Sequence, residues 1–182
     1  MLTVADISGE LLAEFLGRFD LELVVQSTDE EITGSFWGDS EAGIVGHTVF
    51  VRPDTPVHSL LHESSHIICM DGDRRRRLDR DAGGDDLEES AVCYLQIVLA
   101  DHIAGAGRDR IMADMDAWGY SFRLGSTRTT VVVEGIDTET RQAWNLEGEI
   151  SLQIFLESFA LLIVHDVVDH AMNVLVIHRI NI

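Results

Sequence analysis

The stretch Val57-His58-Ser59-Leu60-Leu61-His62-Glu63-Ser64-Ser65-His66-Ile67-Ile68-Cys69-Met70 decides how the rest of the chain is read. Leu60, Leu61, Ile67 and Ile68 recur at helical spacing and give this segment an apolar surface. Thr55 is placed to cap a helix, Pro56 suits its first position, and Asp71-Gly72 supplies a stop. On such a helix His62 and His66 stand one turn apart and can point at a common ion. Glu63 then lies beside that ion, where it can take a proton from water. The bland alternative is two partly buried histidines in a metal-free helix.

Two imidazoles need at least one more protein ligand to hold a catalytic zinc ion, and water takes the remaining position. The next helix, Leu87–Gly105, is the nearest source. Its apolar side centres on Ala91, Leu95, Val98 and His102. At about 100° per residue, Glu88 falls beside that side and Glu89 points away from it. A carboxylate turned toward the core needs a partner, so Glu88 is the expected third ligand and Glu89 its main rival. Asp85 and Asp86 are better used to start the helix. Asp71 and His102 are weaker candidates for orienting a ligand ring. His58, one turn before His62, either assists the site or sits on the first-turn surface.

The motif His62-Glu63-Ser64-Ser65-His66, followed by Glu88-Glu89-Ser90-Ala91, resembles the glutamate-type zinc metallopeptidases, the gluzincins. The likeness spans roughly residues 43–105 and extends to a small group of bacterial predicted metallopeptidases. It implies Zn2+ held by His62, His66 and Glu88, Glu63 as general base, and a peptide or protein substrate. The longer run that adds a third histidine to the same helix is absent. No motif assigns an oxyanion stabiliser; Tyr94, Tyr120 and His102 are the candidates. A non-catalytic zinc-containing structural or binding domain, possibly regulatory in role, is the competing reading.

Around this centre the chain reads as α+β and zincin-like, with a small mixed or antiparallel sheet packed against the two ligand-bearing helices. Residues 6–19 form an amphipathic helix carrying Leu11, Leu12, Phe15, Leu16 and Phe19 inward, and Leu21–Val25 is a strand. Gly43–Val51 is read as one strand, running almost directly into the zinc helix and able to pair with an extended substrate. Phe36 and Trp37 either line a groove or pack. The Arg74–Arg77 run, flanked by acids, reads as a solvated turn with internal salt bridges. Arg108–Trp118 is a short helix, Thr129–Val133 a strand and Asp137–Leu146 another short helix. Residues 1–149 make the catalytic unit. Residues 150–182 form a hydrophobic extension that packs on it or serves as a homo-oligomer interface. Within the extension His165, Asp166, Asp169 and His170 are better read as mutually satisfied pairs than as a second metal site.

Composition narrows the function classes. The net charge is −19, from 32 acidic residues against 13 basic ones, all arginine. A surface this acidic disfavours contact with phosphate backbones, so no nucleic-acid partner is expected. The longest uncharged stretch is too short to cross a membrane. Cys69 and Cys93 do not make a disulfide framework and read as small buried residues. The opening residues do not resemble a secretory signal, which makes the cytoplasm the expected location.

Overall fold

The computed structural model describes residues 1–120, apart from Asp39 and Asp85. The expectations for Thr129–Val133, Asp137–Leu146 and residues 150–182 lie outside the described residues.

Helix α1 (Gly9–Gly17) buries Leu12, Phe15 and Leu16 and leads into strand β1 (Glu22–Val25). Leu11, expected on the inner side, is 46% exposed. Strands β2 (Gly43–Val45) and β3 (Thr48–Val51) follow, then helix α2 (Val57–Cys69). The short helix α3 (Gly72–Arg76), helix α4 (Asp86–Ala100) and helix α5 (Arg108–Trp118) complete the described elements. The fold is α+β with a mixed three-stranded sheet ordered β1-β3-β2. β1 runs parallel to β3, pairing Leu23 with Val49, while β2 runs antiparallel to it, pairing Ile44 with Val49.

The single strand expected over Gly43–Val51 is therefore a hairpin. Gly46 adopts φ 60°, a left-handed conformation that glycine enters without a Cβ clash, and the chain turns back there. The turn is tied down from outside, because the Gly46 amide donates to the Leu78 carbonyl at 3.0 Å.

The start of α2 also differs from the expectation. Pro56, with ψ 137°, is the capping position, and Val57 opens the helix. Thr55 is fully buried and serves the preceding turn, where its hydroxyl accepts the Arg52 amide at 2.9 Å. Residues 2–4 hold this corner through the Val57 amide on Leu2 and the Val4 amide on Thr55. Asp114 of α5 accepts the Leu2 amide at 2.7 Å, which places the buried Asp114 at a structural tie.

α2 lies at the centre of the core. Eleven of its thirteen residues are buried; the two that are not are His62 and Glu63. A helix buried nearly all round must satisfy its polar side chains internally. Ser64 and Ser65 do so by donating to the carbonyls of Leu60 and Leu61, each at 2.7 Å. At the other end, Arg75 donates to the Ile67 carbonyl at 2.7 Å and is itself buried. The arginine run is thus mostly helical, with Arg74 and Arg75 turned inward and Arg76 and Arg77 exposed. Asp71 caps it, accepting the Arg74 amide at 2.7 Å.

Candidate metal centre

α2 and α4 pack against each other, and the candidate centre sits in their seam. His62 and His66, one turn apart, face each other with Nε2 atoms 3.3 Å apart and rings nearly perpendicular at 87°. From α4, Glu89 brings one carboxylate oxygen to 3.6 Å from His62 Nε2 and the other to 3.4 Å from His66 Nε2. One donor atom from each of the three residues lies within 4.8 Å of the others. Two imidazole nitrogens and a carboxylate oxygen converging on one point form a group able to coordinate a metal ion, and this donor set is one that zinc uses. The expected pair of histidines is brought together.

The structure brings Glu89, rather than Glu88, to that point. Glu88 is gripped by Arg74 of α3 through two parallel hydrogen bonds of 2.7 and 2.8 Å. Arg74 is fixed in turn by donating to the Ala82 carbonyl. The reason is a displacement of the inner face of α4. Buried there are Val92, Leu95, Gln96, Leu99 and Ala100. That stripe lies about one residue, or about 100°, away from the face centred on Ala91, Leu95, Val98 and His102. Glu88 and Glu89 then flank the inner stripe on its two sides. The histidines stand on one side and Arg74 on the other. Gly84 permits the arrangement by close approach. A Cβ there would meet Glu89 Oε1 at 3.1 Å and Glu88 Cδ at 3.3 Å.

Glu88 still reaches the site from behind. Its Oε1 lies 3.5 Å from His66 Nδ1, the ring nitrogen turned away from the ion point. Burial works against ionisation of Glu88, yet His66 and Arg74 together bring its carboxyl down to about 2. Burial also opposes protonation of His66, but Glu88, Glu63 and Glu89 outweigh it and the net direction is upward. His62 goes the other way, pushed down to about 3 by burial and by His66, with Gln96 opposing. Gln96 is fully buried on α4 and donates to the Met115 sulfur at 2.9 Å. Its side-chain carbonyl and His62 Nδ1 are both buried without a hydrogen bond among the described residues.

Glu63 lines a cavity of about 440 Å³ together with His62, Glu89, Glu41, Trp37, His58 and Tyr120. Burial raises its carboxyl to about 7; His66 opposes the shift, and the neighbouring carboxylates Glu41, Glu89 and Asp81 reinforce it. Trp37 is 78% exposed, so it is a rim residue and not a core one, and Phe36 stacks edge-on against it outside the core.

Several other expectations resolve here. Tyr120 reaches the cavity, with its ring 5.9 Å from that of His62. Tyr94 and His102 do not line it. His102 lies beyond the end of α4, among Asp101, Arg18 and Arg108. Asp71 caps α3 and has no part in orienting a ring. His58 is not a surface residue but is 1% exposed. Cys69 is buried and Cys93 partly so; burial pushes both thiols up to about 12. Neither cysteine belongs to the group that can hold an ion. Sequence reasoning missed Arg74 and Gln96 because each acts across tertiary contacts. The one available signal was polarity, since Gln96 interrupts an otherwise apolar helix.

No helix among the described residues is long and apolar enough to cross a membrane. The chain matches no protein-family model, no curated protein and no solved structure.

Proposed function

We propose that the chain is a zinc-dependent peptidase in which His62, His66 and Glu89 hold the ion and Glu63 is the general base. The observation that carries this reading is the exposure pattern of α2. Burial covers the helix everywhere except at His62 and Glu63, and both line the same cavity as Glu89. A structural zinc site is normally closed by four protein ligands. Only three candidate donors converge here among the described residues, beside a cavity roomy enough for part of a peptide. The sequence resemblance to the gluzincins supports His62, His66 and Glu63 in these roles; it implies Glu88 as the third ligand, whereas this reading gives that place to Glu89.

Zinc bound at this point would supply a Lewis acid that makes water a nucleophile near neutral pH. The chain's own residues do the rest. His62 and His66 would hold the ion through Nε2, and Glu88, clamped by Arg74, stands 3.5 Å from Nδ1 behind the ring of His66, where it favours the charged or N–H-bearing form of that nitrogen. Glu63 accepts the proton of the attacking water at a carboxylate oxygen and passes it to the departing amine. The substrate lies in the cavity lined by Glu63, Glu41, Trp37 and Tyr120; the expected pairing with the Gly43–Val51 stretch is not open to it, because Ile44 on the outer edge of β2 already bonds Gly34 and Arg80.

The deciding experiment compares the wild type with Glu63→Gln. Both should retain one zinc per chain by elemental analysis. Hydrolysis of a quenched-fluorescence peptide mixture should fall about 10²–10⁴-fold in the variant, the range for loss of a general base. Unchanged hydrolysis would remove Glu63 from the mechanism. Zinc retention without hydrolysis by the wild type would favour a non-catalytic binding domain.

A further inference from the structure

With Glu89 assigned to the ion and Glu63 to the base, the described lining of the cavity holds one further carboxylate, Glu41. It comes from the loop before β2, and its charge acts on Glu63. The loop is fixed to α2 at this point, because the Ala42 amide donates to the Ser59 hydroxyl at 2.9 Å. Glu41 is therefore carried on a rigid base and is partly buried.

Trp37 stands beside it at the rim, 78% exposed, with Phe36 edge-on against its ring at 5.0 Å. Trp37 also borders a second hollow of about 830 Å³, so the two share its side chain as a common wall. That hollow is lined by Asp29, Glu30, Glu31 and Asp54 against Arg52 and Arg80 among the described residues. Arg52 is already paired with Asp54 at 2.9 Å. The approach to the cavity is thus acidic, in a chain of net charge −19. A carboxylate takes a cation through charge-assisted hydrogen bonds, and an indole attracts the same cation over its ring face.

We propose that Glu41 is a specificity-determining residue that receives the cationic side chain of a basic residue in the peptide substrate, with Trp37 covering that side chain at the rim. The proposal rests on the peptidase reading of the same site and names its substrate class: peptides with arginine or lysine next to the cleaved bond. A guanidinium fits best, since it can fork onto a carboxylate and stack on an aromatic ring at once.

The experiment uses the zinc-loaded full chain and two N-acetylated, fluorescence-quenched peptide mixtures. They are alike except that one fixed position carries arginine in the first and citrulline, its uncharged counterpart, in the second. Acetylation removes the terminal amine, so the side chain is the sole cation. The readout is the ratio of kcat/KM between the mixtures within each variant, which a general loss of folding or zinc does not move. Binding of the same mixtures, carrying an uncharged fluorophore, is followed by anisotropy in Glu63→Gln with and without Glu41→Gln.

The wild type should prefer the arginine mixture about tenfold, equivalent to about 1.4 kcal/mol. Glu41→Gln should bring the ratio close to one, and Glu41→Arg should invert it. Trp37→Ala should reduce it about threefold. Hydrolysis by the wild type at a ratio near one would overturn the proposal and leave the peptidase reading intact. A preference that survives Glu41→Gln unchanged would overturn it as well. If the wild type hydrolyses neither mixture, binding decides. Tighter binding of the arginine mixture that is lost with Glu41→Gln would sink the peptidase reading and keep the contact. Equal binding of the two mixtures, or none, would overturn both.

Discussion

The seam between α2 and α4 has two contrasting ends. At the His66 end the polar groups are backed by charge: Arg74 grips Glu88, and Glu88 lies behind His66. At the His58 end an imidazole is walled in by Trp118 and Tyr120, and neither of its nitrogens has a hydrogen bond among the described residues. The same helix thus has one end where carboxylate and guanidinium groups stand near an imidazole and another where aromatic rings do; at both ends buried ring nitrogens, His66 Nδ1 and both of His58, lack a hydrogen bond among the described residues. Satisfied polar networks rigidify a site, whereas unsatisfied buried groups weaken the fold unless something else pairs with them. The first region is a charged scaffold and the second an aromatic enclosure.

The sharpest way to break this contrast is to remove each neighbouring carboxylate in turn. Glu89→Ala should abolish stoichiometric zinc retention, as should His66→Ala, whereas Glu88→Gln should lower zinc affinity only about 10–100-fold. Isothermal titration with zinc separates the two outcomes; equal losses would erase the distinction between ligand and support. Next in size is Arg74→Met. It strands Glu88, which is only 18% exposed at its side chain. A loss of about 1–3 kcal/mol in unfolding free energy is expected, and Glu88→Gln should restore part of it in a double-mutant cycle.

Gly84→Ala refines the comparison further. Its Cβ would press on both carboxylates at once, at 3.1 and 3.3 Å. The cost should be about 1 kcal/mol, seen as weaker zinc binding with little change in melting temperature. The smallest effect concerns the thiols. With both pushed up to about 12, the thiolate fraction at pH 8 is on the order of 10⁻⁴. Cys69 and Cys93 should therefore react with a disulfide reagent only after denaturation, followed by absorbance. Prompt labelling of the native protein would contradict the burial.

The elements that local pattern controls were readable from the chain alone. α2 and α4 announce themselves by periodicity, α5 has the bounds expected between Gly107 and Gly119, and the facing of His62 and His66 follows from a four-residue spacing. What escaped was set at long range. Gly46 looks like one more member of a strand until the sheet needs a turn there. Gln96 sits on the inner face of α4 although its side chain is polar, which rotated the inferred face away from the real one and misplaced Glu89. Arg74 faces inward because Glu88 waits fourteen residues later, a pairing invisible to any window of local sequence. His58 is buried against Trp118 at the end of α5 and Tyr120 just beyond it, contacts that local spacing does not show.

Adjacent arginines on α3 face different helices: Arg74 holds Glu88 of α4, while Arg75 holds the last carbonyls of α2. A five-residue segment thereby rivets together the two walls of the seam. Its consequence is mechanical. The gap in which an ion would sit is gauged by a piece of chain that never touches the ion, so changes confined to that rivet would retune the centre by altering its width.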